Sequence, residues 1–320
     1  MYIVLHYSNI FLCWLFILLL LLQPGLAHQG ADTGMELFID HLFPYLLPYL
    51  ILTQWLLRLT NISSIPQHSK WKFYLQIYFL SALGGFPTGA ATISFLLKQQ
   101  QITKKEAPLL LAICHAPSPL FVVGFVGVEI LKSPISGWYM LAIIHAVNIV
   151  MLIVFILKFR KINVRSISTK KTSTESASPL IESIKNSLPT VLLVAATVIF
   201  FTTISYVLTE TLLRFVHQLP DWIMLTLYTV LEMTSGLDNA QDLFAHSQWL
   251  ELIVITILTM QGLSIHLQVA VLAKEANISM VPYVYTRIFQ TLLIPFLYWL
   301  IFLGKPRDAH ARGDQPDGQR

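Results

Sequence analysis

Four short stretches carry the polar groups of an otherwise apolar chain: "LGGFPTGA" from Leu83, "CHAPSP" from Cys114, "LEMTSG" from Leu231 and "MQGLSIHLQ" from Met260. The first supplies Gly84, Gly85, Pro87, Thr88 and Gly89, where glycine lets backbone approach a ligand closely, with the hydroxyls of Thr92 and Ser94 just beyond. A helix starting after Pro87 aims its unpaired N–H groups at whatever precedes it, a favourable seat for a carboxylate. The second stretch sets His115 and Ser118 among prolines. An imidazole titrates near neutrality, so His115 is a candidate for solute contact or for carrying a proton. The third contributes Glu232, Thr234, Ser235 and Gly236. A carboxylate in lipid is costly unless paired, so Glu232 reads as a coupling or gating group, with a structural ion pair or a shallow interfacial position as alternatives. The fourth adds Gln261, Gly262, His266 and Gln268. No nucleophile and base stand at a recognisable spacing, so these residues are expected to form a substrate pathway, with no catalytic centre, metal or cofactor. Each has a plainer reading: small residues for tight helix packing, a proline kink with a hydrogen-bonded His115, a packing role for His266.

The elements that position these groups follow from composition. The chain has 320 residues, 55% hydrophobic and 12% charged, with a mean hydropathy of +0.65, against about 25% charge in a soluble domain. It reads as an all-α, polytopic membrane protein. Cys13 and Cys114 both lie in apolar surroundings and give neither a disulfide framework nor a CxxC pair. No nucleotide-binding fingerprint occurs. The net charge of +4 sits in a few loops, a topology signal and not a nucleic-acid footprint. The bilayer is the expected surrounding, and a homo-oligomer or other membrane proteins are possible partners. A bilayer core of roughly 30 Å asks for about 20 apolar residues per helix. Full spans are expected at Ile3 to Leu22, Leu37 to Leu57, Ala107 to Leu131, Trp138 to Leu157, Leu188 to Leu208 and Val281 to Leu303. Phe73 to Leu97, Trp222 to Met233 and Leu250 to Ala273 are interrupted or short. The first span also resembles a signal peptide cleaved after "PGLA", but no Lys or Arg precedes it, which favours retention.

The implied organisation is an N-terminal membrane segment (1–30), a first membrane repeat (31–158), a basic linker (159–187), a second repeat (188–304) and a polar tail (305–320). The Ser/Thr-rich linker is cytoplasmic by the positive-inside rule, and counting back puts Lys98, Lys104 and Lys105 there too. If Phe73 to Leu97 crossed the membrane, Arg58, Lys70 and Lys72 would lie outside and Asp32 and Glu36 inside. A hairpin that turns at "GGFPTG" and returns to the cytoplasm obeys the rule; a single helix kinked at Pro87 is the alternative. An echo pairs Gly85 with Gly262, Lys98 with Lys274, Ile102 with Ile278 and Thr103 with Ser279. Were Leu250 to Ala273 a second hairpin opening from outside, the tail would be cytoplasmic. Opposed hairpins belong to the inverted repeats of secondary transporters. Glu129 reads as interfacial, Glu210 with Arg214 as a surface pair, and the "RGD" at Arg312 as chance.

Taken in order, "LFPYLLPYLIL", "LGGFPTGA", "ITKKEA", "SPLFVVGFVG", "LEMTSGL" and "GLSIHLQV" resemble the sporulation integral membrane protein YlbJ (SpoVV) family, in the nucleoside-recognition or Gate-domain group. The likeness covers most of Leu37 to Leu303. This chain departs from it before "SPLF", where Cys114 to Pro117 replace an Asn-rich turn, and it is shorter than typical members. The resemblance implies a role in spore formation, the passage of dipicolinic acid across the outer forespore membrane. A nucleoside or other small polar solute, or a non-transport membrane scaffold, are the alternatives.

Overall fold

The computed structural model describes residues 2–59, 70–159, 178–216 and 218–303. Among them the chain is helical throughout its regular structure: α1 (Tyr2–Leu22), α2 (Pro24–Glu36), α3 (Phe43–Leu59), α4 (Lys70–Gly84), α5 (Phe86–Lys98), α6 (Ala107–Ile113), α7 (Pro134–Phe159), α8 (Pro179–Phe215), α9 (Asp221–Leu231), α10 (Met233–Phe244), α11 (Leu250–Met260), α12 (Leu263–Glu275) and α13 (Val281–Tyr298). Wider π-type turns join α2 to α3 at Leu37–Leu42, form the helix Phe121–Ile130 and extend α13 through Trp299–Leu303. Five helical runs are long and apolar enough to cross a bilayer: Pro24–Leu56, Pro134–Phe159, Pro179–Phe215, Leu250–Glu275 and Val281–Leu303. The protein is a multi-pass membrane protein.

Side-chain contacts give each element its direction. Tyr74 donates to Glu106 Oε1 at 2.6 Å, and Glu106 Oε2 accepts from Thr103 N at 2.7 Å in the loop after α5. The two arms α4 and α5 therefore return to one end, a hairpin turning at Gly85. That residue has φ +84, a region open to glycine for want of a Cβ. Tyr74 packs edge-on against Phe155 and Tyr78 Oη lies 2.6 Å from His145 Nδ1. Helix α7 thus runs antiparallel to α4, with Pro134 at the end opposite Lys98.

A second hairpin is α9–α10, which turns at Glu232 and opens at the Pro134 end. A Cβ added to Gly236 would stand 2.5 Å from Thr229 Oγ1, so the arms touch. Helices α11 and α12, by contrast, form one interrupted crossing. Glu251, at the start of α11, accepts from Ser136 (2.9 Å) and Tyr298 (2.7 Å) at the Pro134 end, whereas Glu275 pairs with Lys98 Nζ at 3.0 Å at the other. This corrects the expected hairpin at Leu250 to Ala273: Gln261 (φ +62) and Gly262 (φ −38, ψ 170) redirect the chain for two residues without reversing it. Helix α13 accordingly ends at the Pro134 end, with Phe302 stacked on Tyr139. Both halves follow one order of long helix, hairpin, interrupted crossing and closing helix. Gly85 turns a hairpin whereas Gly262 lies in an interrupted crossing, so the Gly85–Gly262 echo joined unlike elements.

Other expectations shift at their edges. The span Ala107 to Leu131 is broken, because the helix stops at Cys114 to Ser118, a stretch that holds Pro117 and runs into Pro119. The span expected from Leu37 starts at Pro24: the polar turn bearing Asp32 and Glu36 stays helical because Gly30 and Gly34 pack on α8, where a Cβ on Gly34 would be 2.8 Å from Ile199 Cα. Helix α8 has 37 residues where Leu188 to Leu208 was expected, and runs antiparallel to α2–α3, tied at its ends by Gln23 to Thr211 (2.7 Å) and Arg58 to Glu182. Residues 160–177 of the linker and the tail 305–320 lie outside the described residues. Gly34→Val is expected to wedge this pair apart at about 1–3 kcal/mol, read as a lower melting temperature in detergent.

Candidate functional site

The two hairpin turns face each other across a small cavity. Gly84, Gly85, Pro87, Ser118, Glu232, Thr234 and Gln268 line it, with Tyr45, Phe86, Phe121 and Ile265 as apolar wall. Its volume of about 60 Å³ holds about two waters at a liquid share of about 30 Å³ each. On one wall Glu232 is 1% exposed and caps α10: Oε2 accepts from Ser235 N at 2.7 Å and Oε1 from Ser264 Oγ at 3.3 Å. Its charge thus rests on the positive end of α10 and not on a basic side chain among the described residues. On the facing wall α5 begins at Gly85 with no side-chain cap. Gln268 is held to α8 through Thr197 Oγ1 (2.8 Å) and Ser235 Oγ lies 3.0 Å from Thr202 Oγ1, which ties α12 and the Glu232 turn to that helix.

Behind the cavity, a buried chain of polar groups joins the breaks. His115 places Nδ1 3.1 Å from the Phe86 carbonyl and Nε2 2.8 Å from Gln261 Oε1. Tyr283 donates to Gln261 Oε1 at 3.3 Å and its hydroxyl lies 2.8 Å from His266 Nδ1; His266 Nε2 donates to the Met260 carbonyl at 3.1 Å. Arg287 closes the cluster, donating to the Ala112 carbonyl at 3.1 Å. His115 thus bridges the first hairpin and the α11–α12 break.

The sporulation integral membrane protein YlbJ of Bacillus subtilis (strain 168) is 23% identical over 315 residues, an alignment that covers 84% of this chain and 76% of that protein. The chain is a distant homologue of YlbJ. Since 84% is more than either half of the chain can hold, the likeness to YlbJ takes in residues of both hairpin-bearing halves. No family model and no solved structure matches the chain.

Of the residues singled out in the sequence, Gly84, Gly85, Pro87, Ser118, Glu232, Thr234 and Gln268 meet at the cavity. His115, Gln261 and His266 form the network behind it. Thr88 turns inward, donating to the Gly84 carbonyl at 2.9 Å, and Ser235 serves the α10 cap. Gly89, Gly236 and Gly262 are packing glycines: a Cβ on Gly89 would lie 2.3 Å from the Cys114 carbonyl oxygen and one on Gly262 2.7 Å from that of Thr229. Sequence reading missed Tyr283 and Arg287. The signal for Arg287 was present, a lone cation inside the last apolar span, which marks function by default in a membrane helix. It also missed Tyr45, whose hydroxyl donates to Glu129 Oε1 at 3.0 Å; His41 Nδ1 lies 2.8 Å from Glu129 Oε2, so Glu129, half-exposed near the end of its helix, is also bonded across the fold.

Proposed function

We propose that the protein moves a small polar solute across the membrane, with the cavity between the hairpin turns as its binding step. The observation that carries this reading is the meeting of two hairpin turns and an interrupted crossing at one buried cavity, where unwound backbone and Glu232 are exposed to a guest. Charge placement supports opposed hairpins. Arg58, Lys70, Lys72, Lys98, Lys104, Lys105, Lys158 and Lys274 gather at the Lys98 end, against Lys132 and Arg214 at the other, so the Lys98 end is cytoplasmic. Hairpin α4–α5 then opens to the cytoplasm and α9–α10 away from it, an inverted pair. The likeness to a sporulation membrane protein supports a place in spore formation, and the family resemblance implies dipicolinate in the outer forespore membrane. A neutral solute such as a nucleoside is the second reading. It is favoured by Glu232 in a cavity lined by no Lys, Arg or His, where a dianion meets like charge. In proteoliposomes, uptake of labelled dipicolinate or uridine above that of empty vesicles is expected, and the preferred solute separates the readings. Equal counts in both vesicle types for every small polar solute would sink the proposal.

A further inference from the structure

Arg287 stands apart from the hairpin cavity and has no acidic partner. It is 6% exposed, its Nε is buried without a hydrogen-bond partner, and none of the ion pairs among the described residues includes it. Its guanidinium lies 5.7 Å from the centre of the Tyr283 ring. An open groove of about 550 Å³ adjoins it, bounded by His266, Ala270, Tyr283 and Arg287 and, on its exposed outer side, by Ile288 and Leu292, with no acidic side chain in its wall. A buried cation without a counter-ion is costly, and in membrane proteins such groups pair or serve a charged guest. The planar five-donor fork of arginine matches a carboxylate in two-point contact.

We propose that this groove, between α12 and α13, binds the carboxylate of a small organic acid on Arg287, with Tyr283 and His266 beside it. The inference takes from the transport reading only the class of solute and needs no movement across the membrane. A lipid phosphate offers the same oxyanion chemistry, so the test separates the two sources.

Full-length protein in nanodiscs of phosphatidylcholine, with or without phosphatidylglycerol, is titrated with dipicolinate by calorimetry. Wild type binds; Arg287→Gln weakens binding by about tenfold or more, the usual penalty for losing one side of a buried charged contact, and Arg287→Lys by less. Ala270→Phe, which fills the groove and leaves the arginine in place, weakens it as well and covers the case in which Arg287→Gln fails to fold. Ligand-free Arg287→Gln stays folded, because the charge it removes has no acidic partner among the described residues and what it loses is the bond to the Ala112 carbonyl and the contact with the Tyr283 ring. Absence of binding to wild type, or unchanged binding in Arg287→Gln and Ala270→Phe, overturns the proposal. So does a lower melting temperature with unchanged binding, which assigns Arg287 a structural role. Loss of dipicolinate binding in phosphatidylglycerol discs, together with lipid retained only when Arg287 is present, assigns the site to lipid and overturns it too. Binding without uptake contradicts the transport reading alone; uptake without Arg287-dependent binding contradicts this site alone.

Discussion

Glu232→Gln lowers solute uptake by about tenfold or more while leaving the protein folded, the scale set by losing a charge-assisted contact in a buried site. The amide keeps an oxygen to accept from Ser235 N, the 2.7 Å bond that caps α10, so the helix start survives. What changes is charge: the cavity wall loses its carboxylate, and an amide N–H replaces one acceptor toward Ser264. Glu232→Ala adds a second effect, since it removes the cap, at about 0.5–2 kcal/mol. Uptake per folded molecule, compared with melting temperature for both variants, checks the split. Equal uptake by wild type and Glu232→Gln would remove Glu232 from the solute's path.

Gly89→Val is expected to prevent folding. The added Cβ would sit 2.3 Å from the Cys114 carbonyl oxygen, which is backbone of the interrupted crossing and has no rotamer to yield. Overpacking in cores costs about 1–3 kcal/mol where side chains can adjust, and this site, where backbone must shift, lies at or beyond the upper end. Gly25→Val is the control, because no atom lies within 4 Å of its added Cβ. The yield of monodisperse detergent-purified protein distinguishes them: near zero for the first, unchanged for the second.

Local signals were readable in the chain where one residue type dictates one geometry. Gly85 and Pro87 announced a helix break, and loop charges chose a hairpin over a crossing; the structure has that hairpin. Glu232, a carboxylate at the end of an apolar run, stood out for its cost and does sit at the second turn. The second hairpin itself was not legible, because α9 is short and α10 is polar: "DNAQD" looks like a loop until Gly236 is packed on Thr229. The echo at Gly262 misled for a related reason. Glycine followed by an apolar run marks any break, whether the chain reverses after it or continues. Nor did spacing alone join His115 to Gln261 and Tyr283, residues far apart in the chain that the two breaks bring within hydrogen-bond reach.

The central claim is that solute passes through the cavity between the hairpin turns. Thr234 lines it, and the native thiols Cys13 and Cys114 are replaceable by Ala and Ser. In that background Thr234→Cys is treated with a polar methanethiosulfonate in proteoliposomes, and labelling and uptake are followed together. Modification of Thr234→Cys, slowed by transported solute and accompanied by loss of uptake, is the predicted result. A cysteine that stays unmodified during active uptake, or one that is modified with uptake unchanged, would contradict it.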